Sequence, residues 1–290
     1  MKHYFYSADG RLRNGWWMLV FAALIPLSGL LYTPLVRGLK SRGLEPLLLE
    51  PMPFVFVLLV TLICLRLRRE RLADVGLRLD RAWWRQAMAG CAIGIASAAL
   101  AVGMLLLAGG AELVLDPQRG LSALLLGGYV FLFVSLFEEL LLRGFLFQRL
   151  VAGTRPWIAQ AVFALLFAIG HWGNPGMDGI TMWFATIELT LAALVLGLAY
   201  LRTRSLALPI GLHLGWNWAQ GSLFGFGVSG LDHPGWWQPQ LSAQPVWLNG
   251  GEFGLEATVW AIVSDLLVLA LLWRWRGVQR NDEAAIVAGA

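Results

Sequence analysis

Residues 137–150 read FEELLLRGFLFQRL and place Glu138, Glu139 and Arg143 inside one of the most apolar parts of the chain. A charge at mid-bilayer costs roughly 2.5–3.5 kcal/mol, so three unpaired charges would cost ~8–10 kcal/mol. Such groups face a protein interior or a wet cavity. One reading is a buried salt-bridge cluster that locks helices together. The other is chemistry, and helical spacing separates the roles. Glu139 and Arg143 stand at i,i+4 with the acid first, the better orientation for a pair on one helix face. Glu138 lies about 100° round from Glu139 and has no helical partner. A buried carboxylate left without a partner is what a general base looks like.

The chain has four histidines. His3 belongs to the N-terminal tail and His233 to a long loop. His171 closes FAIGH, one turn after Phe167, and His213 shares a helix face with Asn217 in HLGWN. A lone histidine on an apolar face is usually a satisfied core residue; two of them, with a Glu pair and an Asn, invite a joint reading. A carboxylate and an imidazole can bind and deprotonate a water. A second imidazole and an amide can stabilise an oxyanion in acyl transfer. That set describes a hydrolase with no Ser or Cys nucleophile. Glu/His/His is also a catalytic zinc set; HExxH is absent, and ligands from separate helices leave zinc open.

The elements that must position these groups follow from hydropathy. The 290 residues are 58% hydrophobic and 14% charged, with net charge +4 and mean hydropathy +0.65. Ordinary soluble domains carry about 25% charged residues. The expected fold is therefore all-α: one integral membrane domain over 1–290, with about eight transmembrane helices around a polar cavity. The expected spans lie near 15–36, 51–67, 84–109, 121–150, 156–173, 182–201, 205–225 and 255–275. A span needs roughly 17–25 apolar residues, so the fourth is tilted or projects beyond the bilayer. At about 1.5 Å per residue, Glu138 and Asn217 lie about 18 Å from their cytoplasmic helix ends, His213 about 12 Å and His171 about 22 Å. The four can meet at middle depth.

Basic residues set the orientation. With the N-terminus inside, the inner segments hold Lys2, Arg11 and Arg13, the cluster Arg66–Arg85, Arg149, Arg155, Arg202, Arg204, Arg274, Arg276 and Arg280. The outer ones hold only Arg37, Lys40, Arg42 and Arg119. Both termini are thus expected in the cytoplasm. Arginines at the ends of apolar runs fit topology anchors rather than a nucleic-acid face. Residues 66–84 read as a basic, Trp-flanked interfacial segment. The Gly-, Pro- and Trp-rich stretch 225–254 reads as a packed outer loop. Cys64 and Cys91 form no disulfide framework or metal signature, and the first apolar run reads as a retained helix.

EELLLR (138–143), FAIGH (167–171) and HLGWN (213–217), in this order on separate apolar segments, resemble the CAAX protease and bacteriocin-processing family of intramembrane glutamic endopeptidases. The approach GLAYLRTRSLALPIGLH and the later PVWLNGGEFGLE are similar to segments of that family, and the resemblance spans about 121–256. It implies that Glu138 and His171 activate the attacking water. His213 and Asn217 would stabilise the oxyanion, Glu139 and Arg143 would support the site, and Phe167 would shape the pocket beside His171. It implies no metal cofactor, a membrane-associated protein or peptide as substrate, and no nucleic acid. Family substrates include prenylated proteins and bacterial peptides; an Arg- and Trp-rich chain of bacterial appearance, expected in a bacterial cytoplasmic membrane, disfavours the prenylated class. Two other classes compete: a non-catalytic scaffold or self-immunity protein of the same fold, and an ion-coupled transporter with Glu and His in a proton relay.

Glu188 and Asp265 also interrupt apolar runs. They read first as interhelical hydrogen-bonding groups and second as the border of a substrate cavity. Ser135 stands one turn before the Glu pair, within reach of it or of its own backbone. The glycines of GCAIGIASAALAVG and FGFGVSG are expected to let helices pack closely.

Overall fold

A computed structural model describes residues 2–6, 10 and 12–277, without the side chains of Lys2 and His3. The orientation readings that rest on Arg11 and Arg280 lie outside the described residues, as do those on the side chains of Lys2 and His3. A short helix α1 (Lys2–Phe5) precedes α2 (Asn14–Ser41), α3 (Met52–Arg68) and α4 (Arg81–Leu107). Helix α5 (Leu121–Glu139) runs through a π-helical turn, Leu140–Gly144, into α6 (Phe145–Gly153). Then follow α7 (Pro156–Gly170), α8 (Gly179–Thr203) and α9 (Ala207–Asn217), which ends in a second π-helical turn, Trp218–Leu223. A four-residue α10 (Val246–Asn249) and α11 (Val259–Arg274) complete the helices.

All eight expected apolar segments fold as helix. Five stretches are long and apolar enough to cross a membrane: Asn14–Ser41, Pro46–Arg68, Arg81–Leu107, Leu121–Gly153 and Gly179–Thr203. The helical parts of the other three segments are shorter: 15 residues in α7, 11 in α9 and 16 in α11. Leu30, Leu31, Leu107 and Leu271 each expose about two thirds or more of their surface. Water would penalise so much outward apolar area; hydrocarbon does not.

The expectation of an all-α chain needs one correction. Strand β1 (Ala111–Leu115) pairs antiparallel with β2 (Trp237–Leu241), Leu113 opposite Pro239. Both strands are five residues long and far apart in sequence, so neither carries enough periodicity to stand out beside the helices. The pairing anchors 225–254. That loop packs back on the bundle through Trp236 N–H to Ser222 O (2.8 Å), and Gly230 N–H to Phe253 O (2.9 Å) closes it on itself.

The basic segment after α3 also has definite partners. Asp80 caps α4 by accepting from Trp83 N–H at 2.9 Å. The Trp83 indole donates to Gly76 O at 3.0 Å, and Gln148 donates to Val75 O at 3.0 Å. Glu70 accepts from both Arg68 (2.8 Å) and Arg149 (3.3 Å). The segment is thereby tied to the ends of α3, α4 and α6.

Helices α4 and α9 approach each other backbone to backbone. A Cβ placed on Gly90 or Gly94 would overlap the carbonyl oxygens of Leu208 and Leu212, and one on Gly211 or Gly215 those of Ala87 and Cys91. Two small-xxx-small faces thus meet backbone to backbone, the packing that substitutes for a hydrophobic drive in lipid. The reading of 90–103 as a packing stretch holds, and its partner is the helix that carries His213 and Asn217. Replacing Gly94 or Gly211 by Leu should lower the Tm in detergent by the equivalent of about 1–3 kcal/mol or more. Gly103→Ala, where an added Cβ meets nothing within 4 Å, should cause no such loss.

Candidate functional site

Most of the expected residues sit where a regular helix stops, and Phe167 and His213 sit one turn inside one. Glu138 and Glu139 close α5 just before the π-helical turn. His171 is the residue immediately after α7. Asn217 closes α9 before the second π-helical turn, with His213 one turn earlier. A cavity of about 330 Å³ lies between these ends, lined by Glu138, Phe167, His171, His213 and Asn217. Glu139 and Arg143 stand behind its wall, 0% and 1% exposed.

Arg143 donates to Glu139 at 3.0 Å, as i,i+4 spacing predicts. It also donates to Ala193 O in α8 at 3.2 Å, and its guanidinium lies 5.1 Å from the centroid of the Phe167 ring. One cation therefore joins α5, α7 and α8. The same oxygen of Glu139 is 3.0 Å from His213 Nδ1. A carboxylate ion-paired to arginine only accepts, so Nδ1 is the donor in that bond. This leaves His213 Nε2 toward Glu138, 3.8 Å away. The spacing argument paired Glu139 with Arg143 alone; the contact with His213 comes from another helix, which no single-helix periodicity reports.

Glu138 has no partner on its own helix, as expected, and its side chain is 20% exposed. Its Oε2 is enclosed without a hydrogen bond. His171 Nδ1 is 2.7 Å from Phe167 O; a carbonyl only accepts, so Nδ1 carries the proton and Nε2 keeps its lone pair. Phe167 packs against both imidazoles, with centroid distances of 4.7 Å to His171 and 6.3 Å to His213. Asn217 is 5% exposed and its side chain has no hydrogen bond among the described residues. Ser135 reaches neither the Glu pair nor its own backbone; its Oγ is buried without a partner.

Further cavity residues were not singled out in sequence. Glu256, in the turn Leu255–Ala257, lines the wall and accepts from Ser229 N–H. Asn174 lines it too and donates to Ser229 O at 2.8 Å. His233, read as a loop residue, lies 4.6 Å from Phe131 ring to ring and reaches the same cavity. Burial in this loop holds its basicity down, with Asp232 opposing. The signal for Glu256 was an acid directly before an apolar run. Glu188 and Asp265 line the cavity as well, and make no interhelical hydrogen bond among the described residues. Among the described residues no group of three His, Cys, Asp or Glu side chains is placed to hold a metal ion.

Residues 120–219 match the sequence profile of the family described as type II CAAX prenyl endopeptidase Rce1-like. This core is thus similar to that family. All seven expected residues lie within the matched stretch, and the family resemblance read from the motifs is borne out. Neither curated proteins nor solved structures yield a match. The Rce1-like core and five helices of membrane-crossing length make the chain an integral membrane protein.

The ion pair behind the wall makes a direct prediction. Arg143→Met strands Glu139 and should cost about 3–5 kcal/mol of stability. Arg143→Met combined with Glu139→Gln should recover much of that loss. Thermal unfolding of the purified chain in detergent checks both; an additive double variant would contradict the coupling.

Proposed function

We propose that this protein is a membrane-embedded endopeptidase that cleaves a peptide bond of a membrane-associated protein or peptide. The observation that carries the reading is the convergence of Glu138, His171, His213 and Asn217 on one cavity inside an Rce1-like core. Glu138 and the free Nε2 of His171 hold a water, and Glu138 takes its proton as the oxygen attacks the scissile carbonyl. The carbonyl oxygen becomes an oxyanion that accepts from the Asn217 amide and from Nε2–H of His213 in its doubly protonated form, whose other proton, on Nδ1, goes to Glu139. The proton held by Glu138 then passes to the leaving nitrogen as the C–N bond breaks. His213 keeps its ring orientation through Nδ1–H to Glu139, and Arg143 holds Glu139 in place through their ion pair.

The chemistry uses only side chains, so the reaction is proposed to need no metal. Eight membrane crossings with both termini in the cytoplasm of a bacterial cell remain the favoured topology, carried by the arginine asymmetry. The active-site residues then stand at middle depth, and the substrate arrives through the membrane or from its surface. The name of the matched family points to prenylated CAAX proteins; the composition of this chain favours a peptide or membrane protein without that group. The scaffold reading has less support, because the water-activating and oxyanion-binding groups are both complete.

Comparing protein termini in membranes of cells that carry the wild type or Glu138→Gln would reveal a substrate. With that substrate, Glu138→Gln and His171→Ala should each lower kcat by about 10²–10⁴-fold, and Asn217→Ala by about 10²–10³-fold. Undiminished cleavage by Glu138→Gln would end the mechanism. Cleavage should also persist in a strong chelator with metal-free protein. A loss restored by added zinc would assign the imidazoles to a metal instead.

A further inference from the structure

The catalytic reading leaves one wall of the cavity unused. Glu188 from α8, Asp265 from α11 and Glu256 from the turn before α11 all line it. They are 1%, 6% and 4% exposed. Neither Glu188 nor Asp265 has a hydrogen bond or ion pair among the described residues, and Glu188 Oε2 and Asp265 Oδ2 are enclosed without a partner. Glu50 and Glu138 add to the same lining, and no lysine or arginine contributes to it.

A fold that needed these acids only for packing would give them donors. Elsewhere this protein does so: Glu139 has Arg143 and His213, and Glu70 has two arginines. A buried acid without a donor sacrifices stability, so its retention points to a ligand that brings the donor. The missing group is a cation. A bare metal ion does not fit, since no three of these side chains converge as ligands. An ammonium or guanidinium on a flexible stem fits, because its methylenes pack on the apolar lining, Leu189, Val195 and Val268, while its head reaches the acids.

We infer that this acidic wall is a specificity subsite that takes the cationic side chain of a lysine or arginine in the peptide substrate. The inference rests on the endopeptidase reading for the word substrate, although the binding it describes does not. A peptide whose carbonyl lies at His213 and Asn217 runs along a cavity shared with Glu188, Glu256 and Asp265. A side chain flanking the scissile bond then meets the acids. An acidic residue there would bring a further acid and no counter-charge, and a neutral residue leaves the wall unmatched.

The test uses the full chain in detergent, carrying Glu138→Gln so that no probe is consumed. The probes are fluorescent, N-acylated peptides with one lysine moved position by position, each matched by norleucine and N-acetyl-lysine counterparts. At one or two adjacent positions, the lysine form should bind on the order of tenfold more tightly than either counterpart, as a bond to a charged group is worth in a buried site. Adding Asp265→Asn or Glu188→Gln should bring that ratio toward one. Equal binding at every position would overturn the inference, as would a preference that survives both variants. The lysine comparison itself needs neither of those variants, so it stands even if they fold poorly. Wild-type cleavage of the same peptides separates the two readings. Cleavage without a lysine preference leaves the protease and removes the subsite; preferential binding without cleavage of any peptide leaves the subsite and removes the protease.

Discussion

The bond from Arg143 to Glu139 holds the rest of the site in place. It is 3.0 Å long and fully enclosed. Two charges out of water repay their desolvation only when their remaining donors and acceptors are also used. Arg143 spends another N–H on Ala193 O and sets its guanidinium over the Phe167 ring. Glu139 accepts a second proton from His213. The ion pair therefore aligns a carbonyl of α8, a ring of α7 and an imidazole of α9 against α5. Lysine in place of arginine would supply a point charge and no plane, and could not satisfy all three neighbours.

A rigid pair on α5 is useful only if α9 cannot slide. The four glycines between α4 and α9 remove that freedom. With the backbones in contact, a shift by one residue would bring side chains into the carbonyl oxygens that now face Gly90, Gly94, Gly211 and Gly215. The position of His213 is thus fixed twice, by a charge on one side of its helix and by steric exclusion on the other. Ser97 and Ser264 add a 2.6 Å contact between α4 and α11, which ties Asp265 to the same frame.

Much of this was legible in the sequence because the bilayer is a simple solvent. Apolar length announced the helices, and charge in an apolar run announced the residues that needed partners. The i,i+4 rule found Arg143 for Glu139, since both lie on one helix. It could not find His213 for Glu139, because that contact joins residues on helices brought together only by tertiary packing. The carboxylate wall was half legible: Glu188 and Asp265 stood out as costly, yet which surface they faced depended on how α8 and α11 pack. Glu256 and His233 were hidden for a different reason. They sit in or beside a loop whose course is set by a strand pairing with no local signature, Leu113 against Pro239.

The placement of Glu138, His171 and Asn217 at or beside helix ends has a physical cause. A residue in mid-helix presents its side chain over the preceding turn and hides its backbone in the ladder. Where the ladder changes register, the helix widens and the side chains at the join are re-aimed. Glu138 and Asn217 stand within two residues of such joins, and His171 stands at an outright helix end. The π-helical turns carry an energetic cost, because their hydrogen bonds are poorer than those of an α-helix. The buried ion pair bridges the first of them from Glu139 to Arg143, across Leu140–Gly144. The bond that anchors the site is thus also the bond that stabilises the irregular backbone on which Glu138 depends, so stability and aim cannot be varied separately at this helix.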